Sequence, residues 1–401
     1  MDLYQSTITA ADFERAIKLM RVRFLLEEKD VNFWDYDGTL LYSYTLEEAQ
    51  ALTELPPLPV QPRLICQGWN WSLDQIKEHG AFVDVGALYT TADGATKLHI
   101  SSLYDEPTEI TLNFQQSVSN GVLIDWGDGS AKETISGTGV VSINHTFAKG
   151  YYIVSLLPND DCTVQLGGAG SDKALVTSTL VNTDSSILVE LNIGKNVTKL
   201  SDYCCYRARG LQSMSMPTTC TNFGVQSFDD TRVSIVILAP DSIVGAYSFR
   251  TCNNAKALSA PNFKQTGGGC LSGMNAIKSF VCAEGITNLY GNAFKDHTSL
   301  QRMFLPDDII DIGQYALSGY RNLKTLLMPK SLVSIGSYAL SGNTNMRVLD
   351  FTKCEQVPAL AAVDALNALP TTCEIRVPSA LYDEWVAATN WTVYASQIVG
   401  V

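Results

Sequence analysis

Basic residues are scarce in this chain: Lys and Arg total 28 against 41 Asp and Glu, a net charge of −13. A surface that acidic repels phosphate backbones and anionic lipid, which argues against nucleic acid as a partner. Long apolar runs are missing as well. No segment reaches the roughly 18 apolar residues that span a bilayer, so membrane insertion is not expected. The four histidines, His79, His99, His145 and His297, are far apart, and the ten cysteines include no Cys-x-x-Cys pair. Zinc-ligand spacing is therefore absent, and neither a metal nor a cofactor is expected. The opening Met1-Asp2-Leu3-Tyr4-Gln5 shows no basic region leading into an apolar core. If the native chain starts at Met1, the expectation is a protein made in the cytosol that stays there or leaves by a route such as cell lysis; a lost export signal is the alternative.

What is present points to several units, since 401 residues exceed one ordinary domain. Thr9-x-x-Asp12 reads as a capping box, and Phe13, Ile17, Met20 and Phe24 follow at helical spacing. This predicts an N-terminal amphipathic helix over about 10 to 28, within a first unit of 1–30. Short strands and turns follow over 31–100, a small β-rich attachment domain. Its connector, Pro56-Pro57-Leu58-Pro59 and Pro62, cannot be helical. Trp34, Trp69 and Trp71 read as the core of that unit, with a sugar-stacking platform as the sharper alternative. Cys204, Cys205, Cys220, Cys252, Cys270 and Cys282 lie in one later stretch, where small apolar thiols suit a core, and buried thiols are preferred to disulfides.

Residues 101–168 alternate with the two-residue period of strands, as in Ile110-x-Leu112-x-Phe114 and Tyr152-x-Val154-x-Leu156. This predicts a small β-sandwich. At its centre, Asp125-Trp126-Gly127-Asp128-Gly129-Ser130 with the later His145-Thr146-Phe147 resembles the Ig-like PKD domain. The resemblance implies a structural turn, in which glycines supply positive φ and the aspartates bond to backbone amides. A calcium site at Asp125 and Asp128 is the lesser alternative, because cation sites of this kind want more oxygen ligands.

From about residue 186 the sequence repeats. Leu300 to Gly319 and Leu323 to Gly342 are parallel copies, and prolines at 217, 240, 261, 306 and 329, with Ala283 standing in once, fall at intervals of 23, 21, 22, 23 and 23 residues. Gly245-Ala246-Tyr247-Ser248-Phe249, Gly291-Asn292-Ala293-Phe294 and Leu188-x-x-Leu191-x-Ile193 are weaker copies. The pattern resembles the BspA-type leucine-rich repeat of bacterial surface proteins. It implies a solenoid over 186–370, closed by a cap over 371–401 that carries Leu381, Trp385, Trp391 and Tyr394. The expected fold is thus multidomain and mostly β (α+β): N-terminal helix, small β-rich domain, Ig-like PKD sandwich, leucine-rich-repeat solenoid and cap.

Alternation along the repeat strands sends Leu300, Met303, Leu305, Leu323, Leu326 and Met328 inward and leaves Arg302, Phe304, Thr325 and Leu327 outward. Counting back from each proline, the outward row reads Asn192, Ser215, Leu238, Ser259, Val281, Phe304, Leu327, Asp350. The predicted binding face is accordingly Leu238, Val281, Arg302, Phe304, Thr325 and Leu327, because exposed apolar rows mark interaction surfaces, with a covering loop or a neighbouring subunit as the equal alternative for what hides such a row. On this register Phe304→Ala and Arg302→Ala change stability by only about 0.5 kcal/mol.

Three motifs imitate catalysis. Asp35-Tyr36-Asp37-Gly38-Thr39-Leu40 matches the nucleophile motif of haloacid-dehalogenase phosphatases, but a proline connector, short strands and a solenoid follow it in place of an α/β sheet carrying the rest of that machinery. It reads as a hairpin turn. Gly167-Gly168-Ala169-Gly170 and Gly267-Gly268-Gly269 lack the strand-to-helix context and lysine of a phosphate loop. No catalytic residue is assigned. Phe33 to Ala49, with Gln67 to Leu73, resembles the leading domain of phage and prophage tail-associated proteins of gut bacteria, in which PKD-like and BspA-type parts follow. That resemblance implies a virion-tail or surface-adhesin role, with the front domain attaching and the solenoid recognising, and it names no ligand. The expected function is a non-catalytic binding protein at a virion or extracellular surface, its expected partners a protein or glycan on a cell surface and, as an open option, other tail proteins. A secreted or cell-surface adhesin is the alternative, and oligomerisation is left open.

Overall fold

The computed structural model describes residues 28–80, 82–103, 105–168, 170–178, 186–282 and 284–401. The predicted helix over 10 to 28 lies outside them except for its last residue. The front unit is a four-stranded sheet ordered β2-β1-β4-β3, with β1 Val31–Trp34, β2 Leu40–Tyr44, β3 Leu64–Trp69 and β4 Val83–Thr91. Helices α1, Leu46–Ala51, and α2, Leu73–His79, open on full capping boxes at Thr45 and Ser72, so serine and threonine oxygens satisfy donors that short helices leave bare.

Two sheets follow. One contains β5 Thr96–Ser102, β7 Val122–Asp125, β8 Glu133–Thr134 and β10 Gly150–Pro158. The other contains β6 Thr108–Gln116, β9 Gly139–Phe147, β11 Val164–Leu166 and β12 Val176–Ser178. This two-sheet unit is not a separate bead. Strand β13, Leu188–Asn192, pairs antiparallel with β5, and β14, Val197–Leu200, pairs parallel with β11. Both of its sheets run on into the solenoid, and it closes the solenoid's first coil as a cap must.

Each coil then adds one short parallel strand to a strand face and one to a second face: Ser279–Val281, Arg302–Phe304, Thr325–Leu327 and Val348–Asp350 on the first, Asn288–Leu289, Asp311–Ile312 and Ser334–Ile335 on the second. The second corner brings backbones so close that glycine is required. A Cβ at Gly313 would stand 2.7 Å from the Leu289 carbonyl oxygen, and one at Gly336 2.7 Å from the Gln314 nitrogen. Tyr247, Tyr315 and Tyr338 take the left-handed conformation at the same point of their coils, and Tyr315 and Tyr338 stack at 5.0 Å. At the far end Glu374–Val377 and Ile398–Gly400 extend the strand face, while buried Trp385 and Trp391 pack on Phe351 and Trp391 Nε1 donates to the Pro358 carbonyl at 2.7 Å. None of the ten cysteines is in a disulfide, and nine are buried, with Cys66 half-buried. No described helix is long and apolar enough to cross a membrane.

Candidate binding surface

The coil register places Leu300, Met303, Leu305, Leu323, Leu326 and Met328 in the core, and the flanking Arg302, Phe304, Thr325 and Leu327 point outward. Leu238 does not join them. It is fully buried, and the strand register pairs Ile237, not Leu238, with Ser259. In this coil an additional residue stands before Pro240, which is what the unequal 23- and 21-residue intervals record. Counting back from the proline therefore slips by one, and a one-residue slip exchanges the two faces of a strand. The true outward row runs Asn192, Ser215, Ile237, Ser259, Val281, Phe304, Leu327, Asp350, Arg376.

Most of that row is already occupied. The front unit lies along the strand face, with β4 crossing the first coils. Tyr89 N–H donates to the Met216 carbonyl at 2.9 Å, and Gly86 sits so tightly on Ile237 that a Cβ there would meet its side chain at 2.4 Å. The buried Asn70 amide bridges the seam: Nδ2 donates to the Leu238 and Ser259 carbonyls at 2.8 and 3.1 Å, and Oδ1 accepts from Gly86 N–H at 2.7 Å and Ser259 Oγ at 2.9 Å. Val281 packs on the front unit's small core of Phe33, Trp71, Val83 and Val85. Phe304 meets the His79 ring edge-on at 4.4 Å. Arg302 pairs with Asp30 at 2.7 Å and covers the Phe82 ring, and Lys278 pairs with Glu28.

Burial at this seam shifts charges. It holds the His79 imidazole below its ordinary pKa, and it pushes the Asp84 carboxyl up to about 6 although Trp34 Nε1 and Asn32 donate to it. The predicted face thus divides. Val281, Arg302 and Phe304 hold the front unit, Leu238 is core, and Thr325 and Leu327 remain open. Beside these two lie Val348 with Asp350 and Glu374 with Arg376, in register across three strands. The cover comes from residues some two hundred positions away, which repeat periodicity does not carry. One local signal was available: Gly86 interrupts an apolar strand, a sign of close approach by another backbone.

The Asp35 and Asp125 motifs both fold as turns. Asp35 to Thr39 is the β1–β2 hairpin turn, closed by Asp35 N–H to the Thr39 carbonyl at 2.8 Å. The buried Asp35 carboxylate accepts from Tyr89 OH at 2.7 Å, Tyr36 N–H at 2.8 Å and Gln61, and burial raises its pKa. In the Asp125 to Ser130 turn, Asp125 and Asp128 accept from the Gly127 and Ser130 amides at 3.0 and 2.9 Å, and Gly127 and Gly129 have positive φ. Trp126 stacks on His145 at 4.2 Å, and His145 Nε2 lies 2.8 Å from Asp128. Among the described residues no group of three or more His, Cys, Asp or Glu is placed to hold a metal.

Residues 182–256 and 233–347 match the family described as BspA type Leucine rich repeat region, in six copies. The repeat region is similar to the BspA-type repeats. Solved structures similar to the chain include a leucine-rich repeat protein from Bacteroides ovatus, at 14% identity and TM-score 0.35 over 54% of this chain and 68% of that one. A leucine-rich repeat protein from Eubacterium ventriosum aligns at 14% identity and TM-score 0.30 over 56% and 75% of the two chains. A leucine rich cell surface protein from Faecalibacterium prausnitzii aligns at 13% identity and TM-score 0.30 over 52% and 57%. At these values the likeness carries no argument about binding. No curated protein matches the chain. The BspA-type match begins at residue 182, so the front unit and the two-sheet unit lie ahead of it.

Proposed function

We propose that this is a non-catalytic binding protein, an adhesin in the broad sense, that recognises a protein or glycan on a cell surface with the open end of its strand face. The observation that carries the reading is the uncovered strip Thr325, Leu327, Val348, Asp350, Glu374 and Arg376 beside a front unit that covers the earlier coils. Parallel strands hold these side chains in two rows spaced by about 4.8 Å per strand. Leu327 supplies apolar area, and Asp350 and Arg376 supply directional polar contacts on a backbone that need not reorganise on binding. The front unit attaches and the solenoid recognises. In the virion-tail version, supported by the front unit's sequence resemblance, attachment is to other tail proteins. In the adhesin version it is to the producing cell, and binding to purified tails separates the two.

Leu327 is 39% exposed, so Leu327→Asp is expected to fold with an unchanged melting temperature and to lose cell or glycan binding by tenfold or more, as loss of an interface anchor worth about 1.4 kcal/mol would produce. Retained binding by Leu327→Asp combined with Asp350→Arg would remove the strip from the proposal.

A further inference from the structure

We infer that the outer edge of β9 is a pairing surface for a second copy of this chain, forming an antiparallel, twofold-symmetric continuation of the β12-β6-β9 sheet. Strand β9 spans nine residues, Gly139–Phe147, and pairs along its whole length with β6 on one side. Among the described residues no backbone group hydrogen-bonds to its other side. Every other sheet edge among the described residues is six residues or fewer, such as β8 with two and β12 with three.

A bare row of N–H and C=O groups is a template for another strand, and proteins that do not use such an edge blunt it with lysine, proline or a bulge. β9 has none of these. Its register against β6 is unbroken from Thr108↔Phe147 to Gln116↔Gly139. From Ile135 to Ala148 the sequence contains no Asp, Glu, Lys or Arg, in a chain of net charge −13. The strand therefore brings no charge of its own to a second copy; the charges that reach its side chains come from other elements, Lys173 Nζ at 3.3 Å from Ser142 Oγ and Asp128 at 2.8 Å from His145 Nε2.

The sequence also suits self-pairing. With the twofold axis at Ile143, Val140 faces Thr146 of the second copy, Val141 faces His145, and Ser142 faces Asn144. These are β-branched and hydrogen-bonding pairs of the kind that stabilise antiparallel neighbours. Val140, Ser142, Asn144 and Thr146 are exposed, while Val141 and Ile143 pack against the core below. A twofold interface is the commonest closed arrangement of identical chains, and it consumes both free edges at once. The strip of the proposed function is on a different sheet and stays open in the pair.

Sedimentation velocity over a concentration series tests this with the full chain. The wild-type mass is expected to rise from 43.7 kDa towards twice that value. Val140→Lys with Thr146→Lys sets like charges opposite each other twice and is expected to remain at the monomer mass. Val140→Lys with Thr146→Glu sets opposite charges there and is expected to recover the wild-type behaviour. Both sites are exposed, and matching melting temperatures show that the variants fold. A wild type that stays at the monomer mass up to its solubility limit overturns the proposal, including the case in which the edge binds some other extended peptide. So does a Lys/Lys variant that dimerises, or a Lys/Glu variant that does not.

Discussion

His297 shows how a single side chain couples the coils to pH. It is fully buried, its Nε2–H donates to the Leu271 carbonyl at 2.7 Å, and Nδ1 has no partner. One coil later Tyr320 stands at the same point, and one further on Asn343 Nδ2 reaches back to the Leu317 carbonyl at 3.1 Å, over the same 26 residues. Burial holds the His297 pKa down to about 4, against about 6.5 in an unfolded chain. A base with a lowered folded pKa contributes stability that is complete above about 6.5 and is lost as pH falls towards 4. From a shift of that size the loss reaches about 3 kcal/mol. Asp84, raised to about 6, acts in the opposite direction: it favours the fold at low pH, and that contribution is lost as pH rises from about 4 to 6. The test is therefore a difference. His297→Asn keeps a donor for Leu271, and its denaturant stability is expected to fall less than that of the wild type between pH 6.5 and 4. Parallel curves would remove His297 as the titrating group. Thiols make a second residue-scale expectation. Burial pushes Cys220, Cys252 and Cys270 up to about 12, so native protein should react slowly and at Cys66 first, with all ten thiols appearing in denaturant. Fast reaction of most of them in the native state would contradict the buried ladder.

At the scale of the coil, the inward and outward assignment was legible wherever the proline spacing was even, as at Arg302 to Leu305 and Thr325 to Met328. It failed in the one coil where the proline moved relative to the strand, because the proline marks the corner whereas the core is set by the strand. Substitutions separate the two counts. Leu238→Ala should cost about 2–5 kcal/mol through a core cavity, as should Leu305→Ala. Leu327→Ala on the open strip should change stability by about 0.5 kcal/mol or less. Phe304→Ala, expected from sequence alone to be equally mild, should instead cost about 1–2 kcal/mol, because its ring meets His79 at 4.4 Å and shields the seam. Urea titration of the four variants decides the matter. A silent Leu238→Ala would restore the proline count.

At the scale of the whole molecule, a mostly β chain with a repeat region was readable and the contacts between its parts were not. Periodicity located the strands of residues 108–158 and the repeats, since each announces itself by local spacing. That the two-sheet unit would fuse edge to edge with the first coil, and that the front unit would fold back over the strand face, depends on pairings such as β5 with β13 and Asn70 with Ser259. No local pattern encodes them. The proposed binding face is for this reason confined to Thr325–Leu327, Val348–Asp350 and Glu374–Val377 in place of a long row.

The same seam gives the prediction that bears most directly on the architecture. Asn70 is 2% exposed and satisfies two solenoid carbonyls, the Ser259 hydroxyl and the Gly86 amide at once. Asn70→Ala leaves these four groups buried with fewer partners, and an unsatisfied buried group costs about 1–3 kcal/mol. Relaxation and re-pairing lower the total, so a loss of about 3 kcal/mol or more is expected from the network as a whole. The loss falls on the junction, because the front unit keeps its own sheet and the solenoid keeps its coils. Wild-type protein should melt in one calorimetric transition, with continuous sheets and a docked front unit coupling its parts. In Asn70→Ala a smaller transition should separate at lower temperature, and Trp34, Trp69 and Trp71 should report it while the cap tryptophans, Trp385 and Trp391, stay native until the second. Because undocking uncovers Ile237, Val281 and Phe304, the variant should also bind a hydrophobic dye between the two transitions. A variant that still melts in one step at the wild-type temperature would show that the front unit is held by Arg302, Phe304 and Lys278 instead, and the network at Asn70 would then be incidental to the architecture.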